Sequence, residues 1–103
     1  MAIYGNSETP KTCKLCLNYP NPFNPTTTIS YDISEEARVK IALCKTLGQQ
    51  IRILVKDSKN SGKYQVTWDG KDIANNSVPS GIYFYRLEID GKSVAARKMM
   101  LIR

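Results

Sequence analysis

Tyr64-Gln65-Val66-Thr67-Trp68-Asp69-Gly70, with its continuation Val78-Pro79-Ser80-Gly81-Ile82-Tyr83-Phe84-Tyr85-Arg86, is the stretch that decides the fold. Tyr64, Val66 and Trp68 alternate with Lys63, Gln65 and Thr67. A period of two marks a strand with one face in a core. Trp68 is the only tryptophan. Burying it removes roughly 150–250 Å² from water, worth about 4–6 kcal/mol of gross apolar stabilisation. Asp69-Gly70 ends the strand with turn chemistry. After a polar connection, Ser80-Gly81 opens a second strand. There Tyr83, Tyr85, Leu87 and Ile89 share one face, and Phe84 takes the other. Both are expected in one β-sandwich, with Trp68 central in its core.

Outward from this stretch the same alternation recurs. Thr27 to Ile33 places Ile29, Tyr31 and Ile33 inward, and Arg38 to Cys44 does so with Val39, Ile41 and Leu43. Gln50 to Lys56 alternates through Ile51, Ile53 and Val55, but Leu54 breaks the pattern. That predicts a bulge, or an edge strand facing two ways. Thr46-Leu47-Gly48-Gln49 is a hairpin connection, and Gly48 is free to take positive φ. Asn75 is suited to left-handed backbone in the long connection. Asp90-Gly91 is the strongest hairpin signal, with a last strand running from Lys92 toward Ile102. A first strand is expected from about Thr12 to Leu17, with Cys13, Leu15 and Leu17 on one face. Between it and Thr27 stands Asn18-Tyr19-Pro20-Asn21-Pro22-Phe23-Asn24-Pro25. Its three prolines forbid helix, remove ladder donors and hold each preceding residue extended. The segment reads as a rigid, shaped loop anchored by Tyr19 and Phe23. About seven short strands without helical period read as an all-β, immunoglobulin-like β-sandwich.

The totals agree with one domain. The chain has 103 residues, 42% hydrophobic and 23% charged, enough for a core without metal or disulfides. Residues 1–11, rich in polar and turn residues, read as a linker, and residues 12–103 as the domain. Met1 to Asn6 show no signal-peptide pattern, and Met1-Ala2 is compatible with a piece of a longer protein. The net charge is +6. The basic residues are scattered over polar half-alternations and turns, so they read as solvated faces and protected edges rather than a nucleic-acid footprint.

No catalytic constellation is visible. The chain has no histidine, which removes the usual general base and the usual metal ligand. Cys13-Lys14-Leu15-Cys16 has redox or zinc spacing. In a strand, however, residues three apart span about 10 Å and point to opposite faces, beyond the roughly 7 Å a disulfide tolerates. Cys13 then reads as a small core residue. Cys44 is the third cysteine, and an odd number leaves one unpaired within the chain. Asp69, Gly70 and Asp72 resemble part of a calcium loop without its full spacing, and read as a turn. Glu35 and Glu36 are adjacent in a turn with no cleft implied. Tyr83, Phe84 and Tyr85 read as core and sheet packing rather than a sugar platform. Neither metal nor cofactor is expected.

Taken together, Asn18-Tyr19-Pro20-Asn21-Pro22-Phe23-Asn24-Pro25-Thr26-Thr27, Leu47-Gly48-Gln49, Trp68-Asp69-Gly70, Ser80 to Leu87, and Lys98-Met99-Met100-Leu101-Ile102-Arg103 resemble, in order, the type A C-terminal sorting domain of the type IX (Por) secretion system. That family is related to the immunoglobulin-like domain of flagellar hook-capping proteins. The resemblance covers about residues 12 to 103. It implies a non-catalytic transport address on a secreted or surface protein of the Bacteroidetes and related bacteria. It implies two partners, a covalently linked N-terminal cargo domain and the outer-membrane secretion machinery. It also implies passage through the periplasm to the cell surface or medium, often followed by cleavage. The implied sorting signal is Lys98, Met99, Leu101 and Arg103 with Gly81 and Tyr83. The implied structural motifs are Asn21, Pro22, Phe23, Asn24 and Pro25, and Trp68, Asp69 and Gly70. Departures from the family pattern are Cys44 for tyrosine, Cys13 for phenylalanine, Leu17 for glutamine and Asn75 for glycine. The two lost aromatics imply lower stability than is typical. The other reading is a structural or adhesive module of carbohydrate-binding or filament-capping type, since fold does not fix function. A free edge strand or the odd cysteine would allow a dimer.

Overall fold

A computed structural model describes residues 14–103. Six strands follow one another: β1 (Thr27–Ile33), β2 (Ala37–Lys45), β3 (Gln50–Lys59), β4 (Gly62–Trp68), β5 (Gly81–Ile89) and β6 (Lys92–Leu101). The described residues contain no helix. β1 and β4 pair antiparallel as one sheet, and the other runs β3-β2-β5-β6. The two sheets enclose a core in which Ile29, Tyr31 and Trp68 face Ile41, Leu43, Tyr85 and Leu87, all buried.

The turns form where the residue types permit them. Gly48 takes φ +89° in the β2–β3 hairpin. Asp90 and Gly91 both adopt positive φ between β5 and β6, as a hairpin matched to strand twist requires. Asn75 is also left-handed, at φ 67°. β3 is an edge strand with register shifts against β2 between Ile41 and Ala42 and between Leu43 and Cys44. These shifts let Ile51, Leu54 and Val55 all pack on the core despite the broken alternation.

The seventh expected strand does not form among the described residues. Lys14 to Asn18 runs beside β1 with a bridge at Leu15 to Tyr31, and Tyr19 bridges Thr28. The segment has no continuous ladder, so a strict period of two does not hold: Leu15 is buried, while Leu17 and Tyr19 are exposed. Tyr19 therefore does not anchor the loop; Phe23 does, fully buried. The expectation about the cysteines also changes. Cys16 is disulfide-bonded and Cys44 is free and buried. The argument against closure assumed strand geometry, and that assumption fails here. Cys13 and the linker lie outside the described residues. Cys44 fills a position between Phe84 and Gln50 in neighbouring strands.

Three buried phenols bear on stability. Burial pushes the hydroxyls of Tyr31, Tyr83 and Tyr85 above the usual tyrosine range. Tyr85 donates to the Cys16 carbonyl at 2.7 Å, and Tyr83 to the Pro79 carbonyl at 2.6 Å. The fold thus prefers neutral phenols. Their contribution is complete below the unfolded tyrosine pKa of about 10 and is lost as pH rises through the raised folded values. Urea titrations from about pH 8 to about pH 12 should show the midpoint falling above about pH 10, and less steeply in Tyr85→Phe. Equal slopes in the two proteins would contradict this.

Candidate functional site

The end of β6 is held from both flanks. β6 is the last strand of its sheet and pairs with β5 through Gly81↔Leu101, Ile82↔Met100 and Tyr83↔Met99. On its open edge the proline-rich loop takes the place of a further strand. Phe23 donates its N–H to the Met100 carbonyl at 3.0 Å and accepts from the Ile102 N–H at 2.9 Å. This is a parallel bridge between Phe23 and Leu101. The Asn21 side-chain oxygen accepts the Met100 N–H at 3.0 Å. The loop is not the extended run that its prolines predict: the Tyr19-Pro20, Asn21-Pro22 and Asn24-Pro25 bonds are cis and the chain bends on either side of Phe23, which alone in this stretch pairs with β6.

Arg103 closes the other flank. Its N–H donates to the Ser80 hydroxyl at 2.8 Å. Its guanidinium donates to the Val78 and Gly70 carbonyls, each at 2.6 Å. No carboxylate pairs with it among the described residues. Arg103 thus ties the final residue to the β4–β5 connection through main-chain acceptors. Its positive charge also lowers the Tyr83 hydroxyl, though burial outweighs it and the net shift is upward.

The aromatic residues beneath join the same pieces. Trp68 lies 5.6 Å from Tyr83, edge to face, and 5.7 Å from Phe23, tilted. The indole N–H is satisfied by the Lys71 carbonyl at 2.8 Å. Gly70 stands between the pieces at φ +77°. A Cβ there would lie 2.8 Å from an Arg103 guanidinium nitrogen and 3.1 Å from the Pro25 carbonyl oxygen. Only glycine fits both the backbone and the space.

Most sequence-derived positions therefore converge: Asn21, Phe23, Pro25, Trp68, Gly70, Gly81, Tyr83, Met99, Leu101 and Arg103. Met99 and Leu101 face the core and are buried. Lys98 does not join them. It is exposed, opposite Phe84, on the sheet's outer face. Pro22 and Asn24 are exposed on the loop. Asp69 pairs with Arg52 at 3.3 Å and caps the Lys71 N–H, while Asp72 accepts from the Ala74 and Asn76 N–H groups. These carboxylates serve the turn. Sequence reasoning missed Val78 and Ser80. Their signal was the Val-Pro-Ser-Gly run, which reads as a turn but conceals a carbonyl and a hydroxyl aimed at Arg103.

The family model for the secretion system C-terminal sorting domain matches residues 18–102. The chain belongs to that family. This sorting domain also shares its fold with solved structures. Dimeric latent PorU from Porphyromonas gingivalis matches with TM-score 0.69 at 15% identity, over 84% of this chain and 9% of that one. PorZ, an essential surface component of the type IX secretion system of the same organism, matches with TM-score 0.58 at 23% identity, over 84% and 11%. FlgD from Pseudomonas aeruginosa matches with TM-score 0.57 at 20% identity, over 78% and 70%. The sorting domain thus spans about a tenth of the PorU and PorZ chains. No curated protein matches it. Gly70→Ala tests the packing around Arg103. It should cost about 2 kcal/mol in denaturant unfolding, from left-handed backbone and the displaced guanidinium. An unchanged midpoint would show that the approach of Arg103 to Gly70 contributes nothing.

Proposed function

We propose that this domain is a non-catalytic address that directs a larger, N-terminally linked cargo across the periplasm and through the outer membrane. The observation that carries this reading is the double hold on β6. A recognition element needs a fixed geometry at low ordering cost, and here both edges of β6 are engaged at its end, from Met100 to Ile102, before any partner arrives. The reading assigns Lys98, Met99, Leu101 and Arg103, with Gly81 and Tyr83, to the sorting signal. Within it the roles divide. Met99 and Leu101 point into the core, and Arg103 lies back on the Val78 and Gly70 carbonyls, which together set the strand's position. Lys98 points outward and is available to a partner. Asn21 to Pro25 and Trp68 to Gly70 support the strand from beneath and from its open edge. The non-catalytic reading is supported by Asp69 and Asp72, which serve the turn: Asp69 Oδ1 accepts from Arg52 and the Lys71 N–H, and Asp72 Oδ1 from the Ala74 and Asn76 N–H groups.

The test is a reporter carrying an export signal and fused to the full chain, in a bacterium with a type IX system. The reporter should reach the surface or medium. The same fusion ending at Arg97 should remain in the periplasm. Equal surface display of both would contradict the proposal.

A further inference from the structure

Seven large apolar side chains are exposed among the described residues. Five sit on segments at the end of the sandwich where β6 finishes. Leu47, 97% exposed, tips the β2–β3 hairpin. Ile73, 85% exposed, lies in the β4–β5 connection, its N–H bonded to the Ile51 carbonyl. Tyr19, 81% exposed, sits beside the start of β1. Met100 and Ile102, 40% and 49% exposed, alternate outward from the last strand. Of the other two, Leu17 lies midway along β1 and Val94 near the opposite end. The turns at that opposite end, Ser34 to Glu36, Asn60-Ser61 and Asp90-Gly91, carry only polar residues or glycine. Exposed apolar residues scattered singly need no explanation, but their concentration at one pole does.

The charge at this pole is net positive, with Lys45, Lys71, Lys98, Arg52 and Arg103 against Asp69 and Asp72. Lys45, Lys71 and Lys98 have no carboxylate partner among the described residues, whereas Asp69 is held by Arg52 and Asp72 by turn amides. The geometry points to a docking face formed by Leu47, Ile73, Tyr19, Met100 and Ile102, with these lysines at the same end of the sandwich, for a protein partner whose surface is apolar and edged with carboxylates. This rests on the sorting-domain reading and deepens it. Most of the face lies on loops outside the tail. The tail supplies its outward residues, while Met99, Leu101 and Arg103 hold them in place.

Protein is favoured over a lipid surface because the carriers are fixed. Gly48 N–H bonds Lys45, Ile73 bonds Ile51, Tyr19 bonds Thr28 and Ile102 bonds Phe23. A shaped partner gains from such preorganisation, and a fluid bilayer gains little. The lysines supply steering and discrimination, while the apolar residues supply most of the contact energy.

The experiment uses the full-chain reporter fusion with Leu47→Glu and Ile73→Glu together. Both positions are exposed loop residues outside the tail, so folding should be kept, as thermal melting of the purified domain will show. Surface reporter should fall about tenfold, equivalent to ~1.4 kcal/mol of docking. Glu35→Gln with Glu36→Gln at the opposite pole should change nothing. Should the acidic pair disturb folding, Leu47→Ser with Ile73→Ser replaces it. A photo-crosslinking residue at Leu47 should attach to a secretion-machinery component, and one at Ser34 should not. Undiminished export by a folded double variant would overturn the inference. So would undiminished export accompanied by lost binding to vesicles of phosphatidylcholine and phosphatidylglycerol, which would assign the face to lipid. If the fusion ending at Arg97 also reaches the surface, the sorting reading itself has failed.

Discussion

The main chain of Phe23 is the constraint on which the rest depends. With one N–H and one carbonyl it completes the open edge of β6 across Met100 and Ile102. An edge strand left bare exposes a row of unpaired donors and acceptors. Here the last part of that row is covered by the chain's own loop. The segment that supplies Phe23 also bridges β1 at Leu15 and Tyr19, so it links the edge of one sheet to the edge of the other. Tyr85 and Arg97 strengthen the link through the Cys16 and Leu15 carbonyls. The terminal strand is thus an integral part of the sandwich.

Beneath the backbone contact, one aromatic group couples distant parts of the sequence. Phe23, Trp68 and Tyr83 come from the loop, the end of β4 and the start of β5, and they meet around the indole. Such pairs contribute about 0.5–1.5 kcal/mol each beyond the area they bury. Their larger effect is geometric. They hold the three segments whose carbonyls and amides then receive β6 and Arg103. The end of β6 is thereby fixed by side-chain packing as well as by its backbone pairing.

Much of the fold was legible in the sequence, and the reason is periodicity. Ile29-Tyr31-Ile33 and Tyr83-Tyr85-Leu87 alternate cleanly because one face of each strand is core. Asp90-Gly91 announced its hairpin because few residue pairs tolerate positive φ twice. The strand expected from about Thr12 to Leu17 does not form over its described part, because alternation over six residues cannot separate a strand from a chain that touches its neighbour at isolated points. The same assumption misplaced Leu17 and ruled out a disulfide at Cys16, while Tyr19, expected to anchor the loop, is exposed. The site was half legible. Its side chains stood out as motifs, but the carbonyls of Phe23, Gly70 and Val78 that tie them together leave no trace in residue identity. Inward Met99 and Leu101 could not be told from outward Met100 and Ile102 as roles until β6 had a register.

The most direct measurement is native-state amide hydrogen exchange on the folded domain. If the loop and the last strand form one unit with the core, the Phe23, Met100 and Ile102 amides should open with the same free energy as the core amides of Leu43 and Tyr85. Exchange of these three amides at the rate of an unstructured terminus, with the core still protected, would contradict the account.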